Sequence, residues 1–130
     1  MNYKIFFDGY ASPKYHNSAG YCVIICKDGK TVFTECGSLT PDTSSNLAEL
    51  KALGRALDLV MEKVPRGAKK LILGDSRLVV EGFYGRFRIK SHNLMPALYS
   101  VRNKSFELEN FKIRWVPRKE NLAGRFLESL

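Results

Sequence analysis

Apolar residues cluster in short runs in the first third of the chain, and this pattern predicts three strands. Residues 3–8, 19–27 and 31–36 are rich in β-branched and aromatic residues, as strands are. Asp28-Gly29 lies between the second and third runs and is typical of a tight hairpin turn. The chain therefore begins with three strands, of which the second and third form a hairpin.

A 3.6-residue apolar period predicts a long helix in the middle of the chain. We expect this helix to begin near Thr43 or Ser44, because hydroxyl side chains accept hydrogen bonds from the free N–H groups of a first turn. Its apolar stripe runs from Leu47 to Met61 in steps of three or four residues. Pro65-Arg66-Gly67 ends this unit.

The second half of the chain predicts two more strands and three more helices. Residues 70–73 are apolar without alternation, as in a buried parallel strand, and a helix is expected from Arg77 to Phe83. Pro96 is expected in the first turn of a helix that reaches Lys104. Residues 111–116 predict the fifth strand, and residues 121–130 predict a terminal helix. The order β-β-β-α-β-α-α-β-α indicates an α/β protein with a mixed sheet flanked by helices.

Length, composition and charge narrow the class of protein. The 130 residues predict one domain, 1–130, and 45% hydrophobic with 26% charged residues exclude a disordered or fibrous chain. A formal net charge of +8 favours a polyanionic partner, nucleic acid before a membrane. The apolar run near the N-terminus is too short for a signal peptide, and we expect a cytoplasmic protein without a membrane span. Cys22, Cys26 and Cys36 lack metal-ligand spacing and are expected to be buried thiols.

Three acidic residues occupy unusual positions. Asp8 and Asp75 each follow an apolar strand, and Glu49 lies early in the long helix beside Leu50. A carboxylate at the end of a buried strand is costly unless it is hydrogen-bonded or paired with a cation. Hard oxygen ligands suit Mg²⁺, so these side chains are candidates for a divalent-metal site. Alternatively, Asp8 and Asp75 start turns, or Asp75 caps the helix after it.

Four segments in order, FFDGYA, SSNLAELKAL, LILGDSRLVVEG and IRWVPRKEN, resemble the motifs of type 1 ribonuclease H. The stretch from Leu78 to Arg102 is most similar to the short archaeal and plant-like branch of that family. The resemblance implies an RNase H-like fold with a five-stranded mixed sheet. It also implies endonucleolytic, sequence-independent cleavage of the RNA strand of RNA/DNA hybrids by a monomer.

The resemblance further implies which residues act. Asp8, Glu49 and Asp75 match the family's metal ligands, with Mg²⁺ as cofactor and Mn²⁺ as a possible substitute. In the family one metal activates the attacking water and the other stabilises the leaving 3′ oxygen.

The fourth carboxylate of the family is missing at the start of the last helix. The family pattern resembles N-x-x-A-D-x-L, and in the run from Asn121 to Leu127 Arg125 stands where the aspartate is expected. If the alignment slips by one residue, Gly124 stands there instead. Either activity survives at a reduced rate, or Arg125 supplies positive charge to the scissile phosphate, or the protein binds hybrids without cutting them. Glu128 is expected to form a surface ion pair with Arg125.

Candidate substrate-binding residues come from the same resemblance and from the charge pattern. An RNA/DNA hybrid is distinguished from other duplexes by its 2′-hydroxyl groups and groove width. Polar residues before and within the first helix match family positions that contact the sugar-phosphate backbone, although they could equally satisfy the helix start. A run from Tyr84 to Lys90 interleaves cations with aromatics and is either a phosphate-binding loop or a solvated one. The candidates are Asn17, Ser44, Ser45, Asn46, Ser76, Arg86, Arg88, Lys90 and Arg118.

Overall fold

The computed structural model describes residues 2–12 and 18–130 of the chain. It contains a five-stranded sheet in the order β3-β2-β1-β4-β5. The strands are β1 Asn2–Ser12, β2 Ser18–Lys27, β3 Lys30–Leu39, β4 Lys69–Gly74 and β5 Phe111–Trp115. β1, β2 and β3 pair antiparallel, whereas β4 lies parallel to both β1 and β5. The predicted mixed sheet is confirmed.

Four α-helices flank the sheet, as the sequence predicts. They are α1 Ser45–Lys63, α2 Arg77–Phe83, α3 Met95–Ser105 and α4 Leu122–Glu128, with a short 3₁₀ turn at Arg118–Glu120. The Ser44 hydroxyl accepts a hydrogen bond from the backbone N–H of Leu47 and so caps α1. The hairpin turn also forms, with Asp28 and Gly29 both at positive φ (48° and 86°), as a tight primed turn requires.

The sheet separates two apolar layers. On one face, alternate residues of β1 and β2 such as Phe7 and Val23 pack against the leucines of α1. On the other face, Phe6 and Cys22 pack with Ala123 of the much shorter α4. Since successive strand residues point to opposite faces, β1 is apolar on both sides from Ile5 to Phe7, and Asp8 is the first acidic residue on the α4 face. Within the described ranges, no helix is both long and apolar enough to cross a bilayer.

Candidate active site

Three carboxylates meet at one end of the strands, where the central strand β1 passes the C-terminal end of its neighbour β4. The parallel register pairs Phe6 with Leu73, which brings Asp8 beside the residue that follows β4, Asp75. Glu49 reaches them from the second turn of α1, where its Oε1 accepts a hydrogen bond from the backbone N–H of Gly9. One carboxylate oxygen from each of the three residues lies within 4.8 Å of the other two. The structure thus brings together the three acidic residues that the sequence predicts as metal ligands.

Burial makes this cluster electrostatically unusual. Asp8 is 1% exposed and Glu49 is 7% exposed. Burial, and after it the neighbouring Asp8 carboxylate, raises the pKa of Glu49 to about 9. Burial also raises the pKa of Asp8, and the negative charge of Asp75 adds to this effect. Both shifts oppose the accumulation of negative charge in the cluster, so an added positive charge would be favourable there.

The donor set fits a divalent cation. Both carboxylate oxygens of Asp8 are buried, and neither has a hydrogen-bond partner within residues 2–12 and 18–130. An unpartnered buried carboxylate is costly, and a cation would remove that cost. Oxygen ligands from three acidic side chains suit Mg²⁺ or Mn²⁺.

Asn121 holds Asp75 in place, a role that the sequence pattern did not indicate. This fully buried side chain donates hydrogen bonds to the Oδ2 of Asp75 (3.0 Å) and to the backbone carbonyl of Phe7 (2.9 Å). Its own Oδ1 accepts from the N–H of Ala123 and caps α4. The available signal was an asparagine at the first residue of the predicted terminal helix, a residue type that favours the N-cap position.

Trp115 and Arg77 pack next to Asp75 and help to position its backbone. The indole N–H of Trp115 donates to the backbone carbonyl of Asp75 at 3.0 Å. The guanidinium of Arg77 stacks on the indole, 3.9 Å from the ring centroid. The alternative that Asp75 caps α2 is wrong, because the Ser76 hydroxyl makes that bond with the N–H of Val79.

Arg118 lies at the mouth of the carboxylate cluster. Its Nη1 is 3.9 Å from the Oδ2 of Asp75, and its Nε donates to Glu128 at 2.8 Å. The predicted ion pair between Glu128 and Arg125 is therefore wrong, because Arg118 in the 3₁₀ turn takes Glu128 as its partner. Arg118, Lys119, Arg125 and Glu128 line an open groove of about 620 Å³.

The backbone of α4 approaches the carboxylates at Gly124, and Arg125 is exposed. A Cβ built on Gly124 would lie 3.2 Å from the Oδ2 of Asp8 and 3.5 Å from the Oδ2 of Asp75. Among the described residues, no α4 carboxylate joins the metal-ligand cluster, which contains Asp8, Glu49 and Asp75 alone.

The candidate substrate-binding residues of α1 lie near the same end of the sheet. Ser44, Ser45 and Asn46 are exposed, and only Ser44 of the three makes a side-chain hydrogen bond within the described ranges, as the helix cap. A groove of about 470 Å³ runs between residues 11–12 of β1 and residues 41–45. Asn17 lies outside the described residues.

The basic segment after α2 is partly anchored. Arg86 forms an ion pair with Glu81 and stacks on Tyr84, whose hydroxyl accepts from the N–H of Ile113. Arg88 and Lys90 flank the buried Ile89 and are exposed, with no ion pair among the residues that the structure describes. These two cations are therefore available to a polyanion, whereas Arg86 already has a partner.

A mixed sheet with three carboxylates gathered at the end of β1 and β4 defines an RNase H-like fold. The reverse transcriptase-like family model matches residues 6–127, and the chain belongs to this family. It is 31% identical over 105 residues to the Bifunctional protein Rv2228c of Mycobacterium tuberculosis, which covers 79% of this chain. The chain spans 28% of the length of that curated relative.

Solved structures agree with the family assignment. RNase H1 from the halophilic archaeon Halobacterium salinarum superposes with a TM-score of 0.84 at 22% identity, with 100% of both chains covered. LC11-RNase H1, isolated from compost by a metagenomic approach, has been solved in complex with an RNA/DNA hybrid. It superposes with a TM-score of 0.81 at 27% identity, covering 92% of this chain and 88% of its own. The resemblance to type 1 ribonuclease H is confirmed at the level of the family.

Proposed function

We propose that the protein is a metal-dependent endonuclease that cleaves the RNA strand of RNA/DNA hybrids without sequence specificity. The observation that carries this proposal is the cluster of Asp8, Glu49 and Asp75, with their oxygens within 4.8 Å of one another and the Asp8 oxygens unpartnered. Its setting in the fold of RNase H1 proteins, one of them in complex with a hybrid, supports the substrate class.

The chain's own residues account for the arrangement that phosphodiester hydrolysis needs. Asp8, Glu49 and Asp75 would hold Mg²⁺ or Mn²⁺. A bound cation would offset the negative charge of the phosphate and activate the attacking water. Asn121 fixes the orientation of Asp75, and burial beneath α4 keeps solvent away from Asp8.

Cations and polar groups around the cluster would bind the substrate backbone. Arg118 at the mouth of the site offers a planar, permanently charged group that suits a phosphate. Ser44, Ser45 and Asn46 present hydroxyl and amide groups that can contact 2′-hydroxyl groups and phosphates. Arg88 and Lys90 extend the positive surface. The contacts are to the backbone, so binding is independent of base sequence.

A second candidate function is hybrid binding without cleavage. The specific observation in its favour is the backbone of Gly124 and the exposed cation Arg125 at the helix start where the family carries its fourth acid. Loss of that carboxylate weakens the site for a second cation. This candidate predicts the same binding surface and no turnover.

A cleavage assay with paired variants separates the two functions. Purified protein is incubated with a labelled RNA/DNA hybrid and Mg²⁺ or, separately, Mn²⁺. We expect the wild type to shorten the RNA strand, Asp8→Asn to abolish cleavage, and Asp28→Asn, the same change in the distant hairpin turn, to retain it. No cleavage with either metal, while the hybrid still binds, would overturn the nuclease proposal in favour of the binding protein.

Arg125→Asp tests the missing acid directly. It replaces the exposed cation next to Gly124 with an acidic side chain that could reach a bound metal, so we expect faster cleavage and tighter metal binding. A slower reaction would instead assign Arg125 to binding of the substrate phosphate. Lys51→Asp, an exposed cation-to-acid change on α1, controls for the altered net charge.

A further inference from the structure

Two cysteines face each other across neighbouring strands. Cys22 of β2 and Cys36 of β3 are direct partners in the antiparallel register, and both are free thiols. Opposite residues of such strands have Cα atoms about 4.5 or 5.5 Å apart and point to the same face. Disulfides span Cα distances of about 4.4–6.8 Å, so either kind of pair lies within the required range.

The two thiols differ in their exposure to solvent. Cys22 is fully buried in the apolar layer beneath α4, and burial, with the nearby Cys36 thiol and Asp8 carboxylate, raises its pKa. Cys36 is exposed, because β3 is the edge strand of the sheet and α4 packs on β1 and β2. The expectation that all three cysteines are buried is wrong for Cys36. An oxidant in solution therefore reaches Cys36 first.

We propose that Cys22 and Cys36 form an oxidation site that closes to an intrachain disulfide in the presence of a peroxide. Hydrogen peroxide oxidises the Cys36 thiol to a sulfenic acid and is reduced to water. The Cys22 sulfur then attacks the Cys36 sulfur, the S–S bond forms, and the sulfenic hydroxyl leaves with the Cys22 proton as a second water. Two thiols lose two electrons, which the peroxide takes up.

The third cysteine provides a matched control. Cys26 lies on the same face of β2 as Cys22, but its cross-strand partner is Thr31, with 3.7 Å between the cysteine Sγ and the threonine Oγ1. Cys22 and Cys26 are four residues apart on one strand, about 13 Å at about 3.3 Å per residue, which is too far for a disulfide. Cys22 and Cys36 are therefore the two cysteines that the strand register places opposite each other.

The test measures thiols and mass, so it is independent of nuclease activity. The folded protein is treated with hydrogen peroxide, alkylated under denaturing conditions and analysed by intact mass and peptide mapping. We expect the monomer to lose two hydrogen atoms and two alkylatable thiols, with a bridge between the peptides of Cys22 and Cys36. Dithiothreitol reverses the change. Because the bridge closes a loop and ties down the edge strand, we expect Tm to rise by at least about 3 °C.

Variants make each outcome decisive. Cys26→Ser should oxidise as the wild type does, whereas the exposed Cys36→Ser should form no intrachain bridge. Cys22→Ala should stop at a sulfenic acid on Cys36 that dimedone traps. The proposal is overturned if the oxidised wild type keeps three alkylatable thiols, accumulates only higher acids of Cys36, links into dimers through Cys36, or bridges to Cys26.

Discussion

At the scale of single residues, Asn121 connects the candidate active site to the rest of the protein. One amide group joins Asp75, the backbone of β1 and the start of α4. Because the side chain is fully buried, removing it takes one hydrogen bond each from the Phe7 carbonyl and the Ala123 N–H, both of which belong to buried residues.

Replacing Asn121 with alanine should therefore destabilise the protein. We expect the free energy of unfolding to fall by about 2–3 kcal/mol, from the loss of buried hydrogen bonds and a helix cap. Urea denaturation monitored by circular dichroism measures the change. Asn103→Ala, at an exposed position of α3, is the control and should change stability by less than about 0.5 kcal/mol. An equally small effect at Asn121 would contradict the role given to it.

Residue type and position made the three carboxylates candidates, and the resemblance to type 1 ribonuclease H implied their shared role, whereas their supporting contacts were not predictable. Asp8 and Asp75 each follow an apolar strand, and that pattern is visible in the sequence. The pairing of Arg118 with Glu128 depends on the distance between a 3₁₀ turn and a helix, which no local pattern encodes. For the same reason the expected partner of Glu128 was the residue one helical turn away.

At the scale of elements, the edge strand β3 is held by a polar network as well as by its ladder. Glu35 of β3 accepts hydrogen bonds from the Tyr21 hydroxyl of β2 (2.7 Å) and from the guanidinium of Arg55 on α1 (2.6 and 2.9 Å). Hydrogen bonding from Arg55 lowers the pKa of Glu35 to about 2. One carboxylate thus joins two strands and a helix.

This network should make stability depend on pH in acid. The unfolded chain protonates Glu35 near its ordinary pKa of 4.5, whereas the folded protein keeps it ionised down to about 2. The contribution of the Glu35 carboxylate to the free energy of unfolding is therefore fully present above about pH 5 and is lost as the pH falls towards 2. For a pair that is partly exposed to solvent, we expect a contribution of about 1 kcal/mol.

Thermal denaturation between pH 6 and about pH 2.5 tests this, since the window covers most of the interval between the two pKa values, where the stabilisation is lost. Glu35→Gln should lose less stability over that range than the wild type. Glu109→Gln, which removes an exposed carboxylate paired with Arg66, serves as the control and should follow the wild type. If the plots of Tm against pH for Glu35→Gln and the wild type are parallel, ionised Glu35 does not stabilise the folded protein.

Strand cores were predictable from the apolar pattern, but strand ends were not. β1 extends to Ser12 and β3 to Leu39, each several residues beyond the predicted run. The extra residues include glycine and polar side chains that carry no strand signal. They are strands because β2 pairs with both segments along its full length, and such pairing overrides local propensity.

At the scale of the whole molecule, the net charge of +8 predicts how hybrid binding responds to salt. Binding of cationic side chains to phosphates releases counterions, so we expect affinity to fall at least tenfold between about 50 and about 200 mM salt. Fluorescence anisotropy with a labelled hybrid and the Asp8→Asn variant measures binding without cleavage. The double variant Arg88→Ala/Lys90→Ala should bind more weakly and with a shallower salt dependence. An unchanged slope would place these two cations outside the interface.

The order of elements along the chain was sufficient to predict the mixed sheet. Three strands without intervening helices favour antiparallel pairing, and a strand reached through a helix favours parallel pairing. The order β3-β2-β1-β4-β5 follows these preferences. The extent to which the short α4 covers its face of the sheet, and so the exposure of Cys36, needed the structure.

The unpartnered carboxylate of Asp8 also has a consequence for evolution and engineering. A buried acid that has no hydrogen-bond donor among the described residues and is crowded by two others opposes folding in the metal-free protein. If the proposed nuclease function holds, the site trades stability for activity. Asp8→Asn should raise the metal-free free energy of unfolding by about 1–3 kcal/mol, whereas Asp28→Asn should not. Chemical denaturation in the presence of EDTA tests this, and an equal or lower stability of Asp8→Asn would refute it. Selection for folding stability alone would therefore favour replacement of Asp8 by an uncharged residue.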